Sequence, residues 1–385
     1  MNKSLTSVPK GSSFLLLILF EINVIFGVFS RSTISYSSLF KDAIPIVLLG
    51  MLILSFFTMK TSLYDLSWLA IGCLITILSS GIIGNLYLYI VLIVFSMRNS
   101  DILSLLKFTL ISLVSAVIVV YLLAHFNKIP NLSFIRNGVF RSSLGMRFPL
   151  IFGAYVFYIS SLLTILFGNR FPIRTSFILL ALFIFAYNIT NSRNDAFCIA
   201  FLFIAIVVVH IKTDKIKAIC YAGLTMTLLI SCIIPFITLV FPYGGKSYFF
   251  LDKLMTGRLY YQDVLWSFYH PSLLGKSIPQ VGLGGTNGIV MNYFYVDSSL
   301  TRLLFLGGIL FFVFLVLTWS KFILFLTRNK IYLFALVMLV IWINGFIEDS
   351  MVDPTTDVFL CYLLINNKTS FRTYIDLSNT SANKN

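Results

Sequence analysis

The sequence predicts an all-α, polytopic integral membrane protein. It reads as a single transmembrane domain over residues 1–385, with about eleven or twelve crossing helices and one large extracytoplasmic loop at 242–299. Three observations predict this. Hydrophobic residues fill 58% of the 385 positions and charged residues only 11%. The mean hydropathy of +0.95 excludes an ordinary soluble domain. Apolar runs long enough to cross a bilayer recur along the whole length, where length alone suggests two or three soluble domains.

The elements follow in order. Lys3 and Lys10 precede an apolar run from Phe14, a pattern like a signal peptide. No small-residue cleavage site follows, so 13–29 reads as a retained first span. The second span is 43–59, and 66–97 reads as a pair turning near Ser79–Asn85. Further spans fall at 102–124, 149–167, 175–190, 195–211, 217–241, 300–326 and 331–347, with a short last crossing at 355–367. No internal repeat is visible, so the duplicated halves of many transporters are absent from the pattern.

A cytoplasmic N-terminus places Lys60, Arg98, Arg170, Arg174, Lys212, Lys215, Lys217, Lys321, Arg328 and Lys330 in short inner segments, as the positive-inside rule asks. It also puts the acidic stretch 348–357 outside, with Glu348, Asp349, Asp353 and Asp357. The misfits are arginines in outer connections: Arg136, Arg141, Arg147, Arg193 and Arg258. The net charge of +14, from 28 Lys and Arg against 14 Asp and Glu, points the same way. The basic residues are scattered between spans, which argues against nucleic acid as a partner. An anionic, membrane-bound ligand is the simplest reason to keep arginines on that face.

Arginine keeps its charge and offers a planar fork to phosphate oxygens. The alternative for each one is snorkelling to lipid headgroups. Asp263, Asp297, Glu348, Asp349 and Asp353 are outer carboxylates that either serve as a base or pair with the arginines. Glu21 lies inside the first span, where an ionisable residue is functional or paired. His270 is a possible base in the large loop, while His125 and His210 sit at span ends. Arg258–His270 predicts an amphipathic interfacial helix with Tyr261, Leu265 and Phe268 on one side, stopped by Pro271. Tyr261 and Trp266 suit either the membrane interface or stacking on a sugar ring. The stretch 282–288 (GLGGTNG) lacks a phosphate-loop setting and reads as a turn. The five cysteines have no metal-ligand spacing, and no Walker, D-x-D or H-E-x-x-H motif occurs, so no cofactor and no metal are expected.

An ordered series of short motifs runs through the second half. Arg141-Ser-Ser-Leu-Gly-Met-Arg147-Phe-Pro149 opens a span, and Thr190-Asn-Ser-Arg193 follows two spans later. Thr256-Gly257-Arg258 begins the large loop, which continues through Leu274-Gly275 to Val296-Asp297, and Glu348 lies near the end. From about residue 136 onward this series resembles the Wzy-type polysaccharide polymerases of O-antigen, capsule and exopolysaccharide pathways. The layout is shared with the O-antigen ligases.

The resemblance implies a metal-independent glycosyltransferase in the bacterial cytoplasmic membrane, acting on its outer face. The donor is a growing glycan on undecaprenyl diphosphate, and the acceptor is a lipid-linked repeat unit. It implies Arg141, Arg193 and Arg258 as catalytic groups for the departing diphosphate, with His270 or Asp297 as base. Arg136, Arg147, Tyr261, Trp266 and Glu348 fall to substrate binding. Membrane lipids and a chain-length regulator are the implied partners. The R-x10-G repeat of some members is missing at these arginines. A ligase differs only in acceptor. A flippase calls for repeated halves and charges along the mid-bilayer, and a scaffold gives no reason for outer arginines.

Overall fold

The computed structural model describes residues 11–80, 85–136, 138–211, 215–255, 257–282, 290–365 and 370–375. Lys3, Lys10, Lys212, the middle of the turn expected near 79–85 and most of 282–288 lie outside them. In chain order the elements are α1 (Gly11–Ser30), α2 (Ser37–Thr58), α3 (Leu63–Ser80), α4 (Leu86–Ser96), α5 (Ile102–His125), β1 (Ser133–Arg136), β2 (Val139–Ser142), α6 (Pro149–Phe167), α7 (Pro172–Phe185), α8 (Arg193–His210), α9 (Ile216–Ile233), α10 (Ile237–Val240), α11 (Lys246–Leu254), α12 (Arg258–Phe268), α13 (Ser299–Arg302), α14 (Gly308–Arg328) and α15 (Tyr332–Asn344).

Seven helical stretches among the described residues are long and apolar enough to cross a membrane, and α1, α3, α4 and α15 add shorter apolar helices. The chain is a multi-pass membrane protein. Three of the seven stretches are interrupted. A π turn at Ala186–Thr190 extends α7, a 3-10 turn at Ile234–Phe236 joins α9 to α10, and a π turn at Leu303–Gly307 joins α13 to α14. Pro235 explains the second break, because it has no N–H to give the helix ladder.

The core is built around α15, which packs against α6, α8, α9 and α14. It is apolar and buried almost all round, as a helix enclosed by other helices must be. Trp342 of α15 meets Trp319 of α14 edge-on at 6.1 Å and donates its indole N–H to Ser231 Oγ at 2.9 Å.

The connections gather at two ends. At one, Thr33 N donates to the Gly145 carbonyl at 2.9 Å, Arg147 N to the Arg31 carbonyl at 3.0 Å, and the Tyr155 hydroxyl to the Thr355 carbonyl at 3.2 Å. At the other, Asn99 Nδ2 reaches the Lys60 carbonyl at 2.8 Å and the Thr373 hydroxyl reaches Asp101 Oδ1 at 2.8 Å.

Two sequence expectations need correction. The described part of the last crossing, 355–365, is not an α-helix. Residues 350–365 form two 3-10 turns, Ser350–Val352 and Val358–Tyr362, and all are buried except the half-buried Thr355. Asp353 Oδ1 accepts from Thr355 N at 2.9 Å and Asp357 Oδ1 from Phe359 N at 2.8 Å. These side-chain turns, with Pro354, outcompete the helix ladder. Irregular backbone inside a membrane bundle is tolerated because protein surrounds it. The fold is mostly helical, as the all-α reading expects, with one small departure among the described residues: β1 and β2 pair antiparallel in the 125–148 connection. Asn137-Gly138 is a hairpin dipeptide, and Gly138 takes φ +76, which a side chain resists.

Within 242–299, α12 starts and stops where the sequence predicts. Its buried face, however, is Leu259, Gln262 and Leu265, and Phe268 is 77% exposed. Tyr261 and Phe268 do not join Leu265 on that face, because Gln262 is pulled inward by a backbone carbonyl.

Candidate functional site

The end that holds 345–357 carries the charged chemistry. Its organiser is Arg258, the first residue of α12. Gly257 precedes it at φ +86 and turns the chain into the helix. Gln262 Nε2 and Trp266 Nε1 then donate to the carbonyls of Ile234 and Pro235, each at 2.6 Å. Both carbonyls belong to the 3-10 turn at Pro235, where the Ile234 carbonyl also accepts from Ile237 N–H. The break therefore supplies the acceptors that dock α12, and docking fixes Arg258.

The Arg258 guanidinium bridges two carboxylates. Nε donates to Asp297 Oδ2 at 2.7 Å and Nη2 to Glu348 Oε1 at 2.9 Å. Asp297 stands just before α13, and Glu348 just after α15. The two ends are locked together by Ser299, whose N–H and hydroxyl donate to the Glu348 carbonyl at 3.1 and 2.6 Å. A recess opens here, lined by Arg258, Gln262, Asp297, Ser298, Thr301 and Phe346 among others.

Two neighbouring pairs repeat the pattern. Arg302 Nη1 donates to Asp349 Oδ2 and to the Tyr295 hydroxyl, both at 2.7 Å, and that hydroxyl donates to Asp349. Arg31 pairs with Asp353, and its Nε donates to Thr355 Oγ1 at 2.9 Å. Glu348, Asp349 and Asp353 thus each take an arginine from a different part of the chain. Behind them lies Asp195, in the first turn of α8. It accepts from Ser192 Oγ and from Asn344 Nδ2, the latter at 2.8 Å. Gly153 of α6 permits this approach, since a Cβ there would sit 2.4 Å from Ser192 Cβ.

Charge is unbalanced in this cluster. Asp195, Asp297, Glu348 and Asp349 face Arg258 and Arg302, four carboxyls against two guanidiniums. Burial pushes the Glu348 carboxyl up to about 8, against the pull of Arg258 and with help from the surrounding aspartates. Burial likewise raises Asp297, again against Arg258. For Arg258, burial works against the charge, but Glu348 and Asp297 outweigh it and hold the guanidinium ionised. Burial, then the Asp349 charge, raise the Tyr295 hydroxyl. One of the carboxyls in such a set keeps a proton near neutral pH, which suits it to proton transfer.

The other residues singled out in the sequence are placed as follows. Arg141 is buried. Its Nε donates to the Thr190 carbonyl at 2.9 Å, and its guanidinium stands 5.6 Å from the Phe148 ring. Arg193 is exposed at the start of α8, and its Nε donates to Asn191 Oδ1 at 3.3 Å. Neither lines the recess, but both meet the 190–195 turn, whose Asp195 interacts with Arg258. Arg147 donates to Ser37 Oγ at 2.8 Å and to the Ser32 carbonyl at 3.3 Å, tying two connections together. Arg136 closes β1, and its side chain lies outside the described residues.

His270 is exposed against Trp266 and does not line the recess. Trp266 packs edge-on against Phe305 at 5.0 Å with its N–H committed to Pro235. Tyr261 is half-buried beside Tyr293 and Phe294. Among the described residues no three His, Cys, Asp or Glu are arranged to hold a metal ion.

Sequence reasoning missed Arg31, Arg302, Asp195 and Tyr295. Arg31 and Arg302 sit at the edges of apolar spans, and that position was a usable signal. Asp195 stood inside a predicted span and was equally open to the same reading. Comparison of the chain with protein-family models, with curated proteins and with solved structures gives no match.

Proposed function

We propose that the chain is a membrane glycan polymerase of the Wzy type, with residues 242–299 and 345–357 outside the bacterial cytoplasmic membrane and the N-terminus inside. It transfers a growing glycan from undecaprenyl diphosphate to a lipid-linked repeat unit. The observation that carries the reading is the Arg258–Asp297–Glu348 triad, of which Arg258 and Asp297 line a recess, on the end where the sequence resemblance locates its motifs.

A half-buried guanidinium held between two carboxylates is not snorkelling to lipid. The geometry suits an acceptor hydroxyl entering the recess. Asp297 or Glu348 takes its proton, the hydroxyl oxygen bonds to the anomeric carbon, and the bond to the lipid diphosphate breaks. Arg258 sets the charge balance of the pair and holds it in place. The diphosphate falls to Arg193, which is exposed at a helix N-terminus, with Arg141 behind the same turn. Among the candidates for base, the recess favours the carboxyls over His270.

The test is reconstitution in liposomes with purified lipid-linked repeat units. Wild type is expected to build a ladder of products, and Arg258→Ala and Glu348→Gln are expected to leave single units. A normal ladder from both variants, or no ladder from well-folded wild type, defeats the reading. Transfer onto a different acceptor in place of a ladder converts it to a ligase.

A further inference from the structure

Two carboxyls lie apart from the Arg258 cluster and have no basic partner. Glu21, midway along α1, is 8% exposed. Its Oε1 accepts from the Thr109 hydroxyl at 3.1 Å, Ser112 also bonds the carboxyl, and Oε2 is buried without a hydrogen-bond partner. Asp357 is 1% exposed, with Oδ1 on Phe359 N and Oδ2 buried without a partner.

The groups around them are mostly neutral. Cys361 lies within electrostatic range of both carboxyls, and Tyr362 within range of Glu21. Tyr158 of α6 faces Asp357. From α5 the facing groups are Thr109 and Ser112, while Lys107 is exposed. Lys41 and Asp42 of α2 are exposed near its start. Among the described residues no Lys, Arg or His pairs with either carboxyl.

A bare carboxylate enclosed in a membrane bundle has neither water nor a counter-charge, so the neutral acid is the favoured form. Its O–H also gives a donor to oxygens that otherwise face nothing. We propose that Glu21 and Asp357 are exchangeable proton-binding sites in the bundle interior, filled from the acid-rich end along the irregular segment 353–362. Asp353, paired to Arg31 at that end, accepts Asp357 N–H on its backbone carbonyl at 2.8 Å, and Cys361 lies within electrostatic range of both Asp357 and Glu21. Each site takes one proton as a carboxylate becomes a carboxylic acid and returns it unchanged. The site does not depend on the glycan-transfer reading.

The test is infrared difference spectroscopy on the full chain in liposomes at neutral pH, in H2O and in D2O. The expected result is a protonated-carboxyl stretch that moves in D2O and is lost in part in Glu21→Gln and in part in Asp357→Asn. Absence of the band, or a band that does not move in D2O, overturns the proposal. If the variants fail to fold, wild type alone suffices through dicyclohexylcarbodiimide, which modifies protonated carboxyls in apolar surroundings. An adduct on Glu21 supports the site, and an unmodified Glu21 overturns it.

Discussion

The two ends of the bundle use basic residues in opposite ways. At the end holding Lys60, Arg170, Arg174, Lys215, Lys217, Arg328 and Lys330, every one of these side chains is exposed, and none of them pairs with a carboxylate among the described residues. Arg98 is the exception there, buried over the Phe95 ring and hydrogen-bonded to Thr61. At the opposite end Arg31, Arg258 and Arg302 are withdrawn from solvent and matched to Asp353, to Asp297 and Glu348, and to Asp349. Exposed unpaired cations satisfy a topology rule and ask for no particular neighbour. Buried paired ones need partners brought from distant sequence, a cost that serves a site.

The largest test of that contrast is Arg258→Ala. It strands Asp297 and Glu348 without their shared cation, and breaking a buried pair from one side costs about 3–5 kcal/mol. Thermal unfolding in detergent should show this loss, together with loss of chain extension, and Arg258→Lys should recover part of the stability. Arg302→Ala should rank second, at roughly 2–3 kcal/mol, since it leaves Asp349 with the Tyr295 hydroxyl alone in place of a guanidinium. A flat response in both places the two ends on the same footing and removes the distinction.

How much of this was legible beforehand follows from the same contrast. Apolar runs alone set the helices, because hydropathy is a local property, and α12 was bounded by Arg258 and Pro271 in the sequence itself. Local pattern failed where distant groups decide. Residues 355–367 are apolar enough for a helix, yet Asp353, Pro354 and Asp357 redirect the backbone into buried turns. The candidate site was half legible. Arg258, Asp297 and Glu348 were each singled out, but their contact depends on α12 docking at Pro235, and nothing in the sequence joins 258 to 348. Arg302 at the edge of an apolar span was a signal left unused, and the clasp that Arg147 makes on Ser32 and Ser37 joins segments more than a hundred residues apart, which local pattern does not reveal.

A smaller effect separates the ends by pH. The folded Glu348 carboxyl holds its proton up to about 8, well above its usual 4.5. Between those values the folded state binds more protons than the unfolded one, so stability is full below 4.5 and falls as pH rises toward 8. Glu348→Gln should flatten that slope in melting temperatures taken across the window. If Glu348 is the base, transfer in wild type should rise over the same interval as the carboxylate forms. An unchanged slope in the variant assigns the pH response elsewhere.

The smallest structural effect carries the sharpest functional distinction. Arg193 and Arg170 are both exposed, at opposite ends, and neither pairs with a carboxylate among the described residues. Arg193 bonds Asn191 at a marginal 3.3 Å, and Arg170 stands 5.0 Å from the Phe171 ring. Alanine at either position should leave the melting temperature within error, because surface changes away from packed features scarcely move stability. Their effects on transfer should differ. Arg193 opens α8 beside the turn that holds Arg141 and Asp195, where on the proposed reading a diphosphate would gain both a guanidinium and the helix N-terminus. Arg193→Ala should therefore abolish chain extension in a fully folded protein, while Arg170→Ala extends normally. Equal activity in the two variants means that exposure at the acid-rich end carries no ligand, and the diphosphate must then be sought at Arg258 itself.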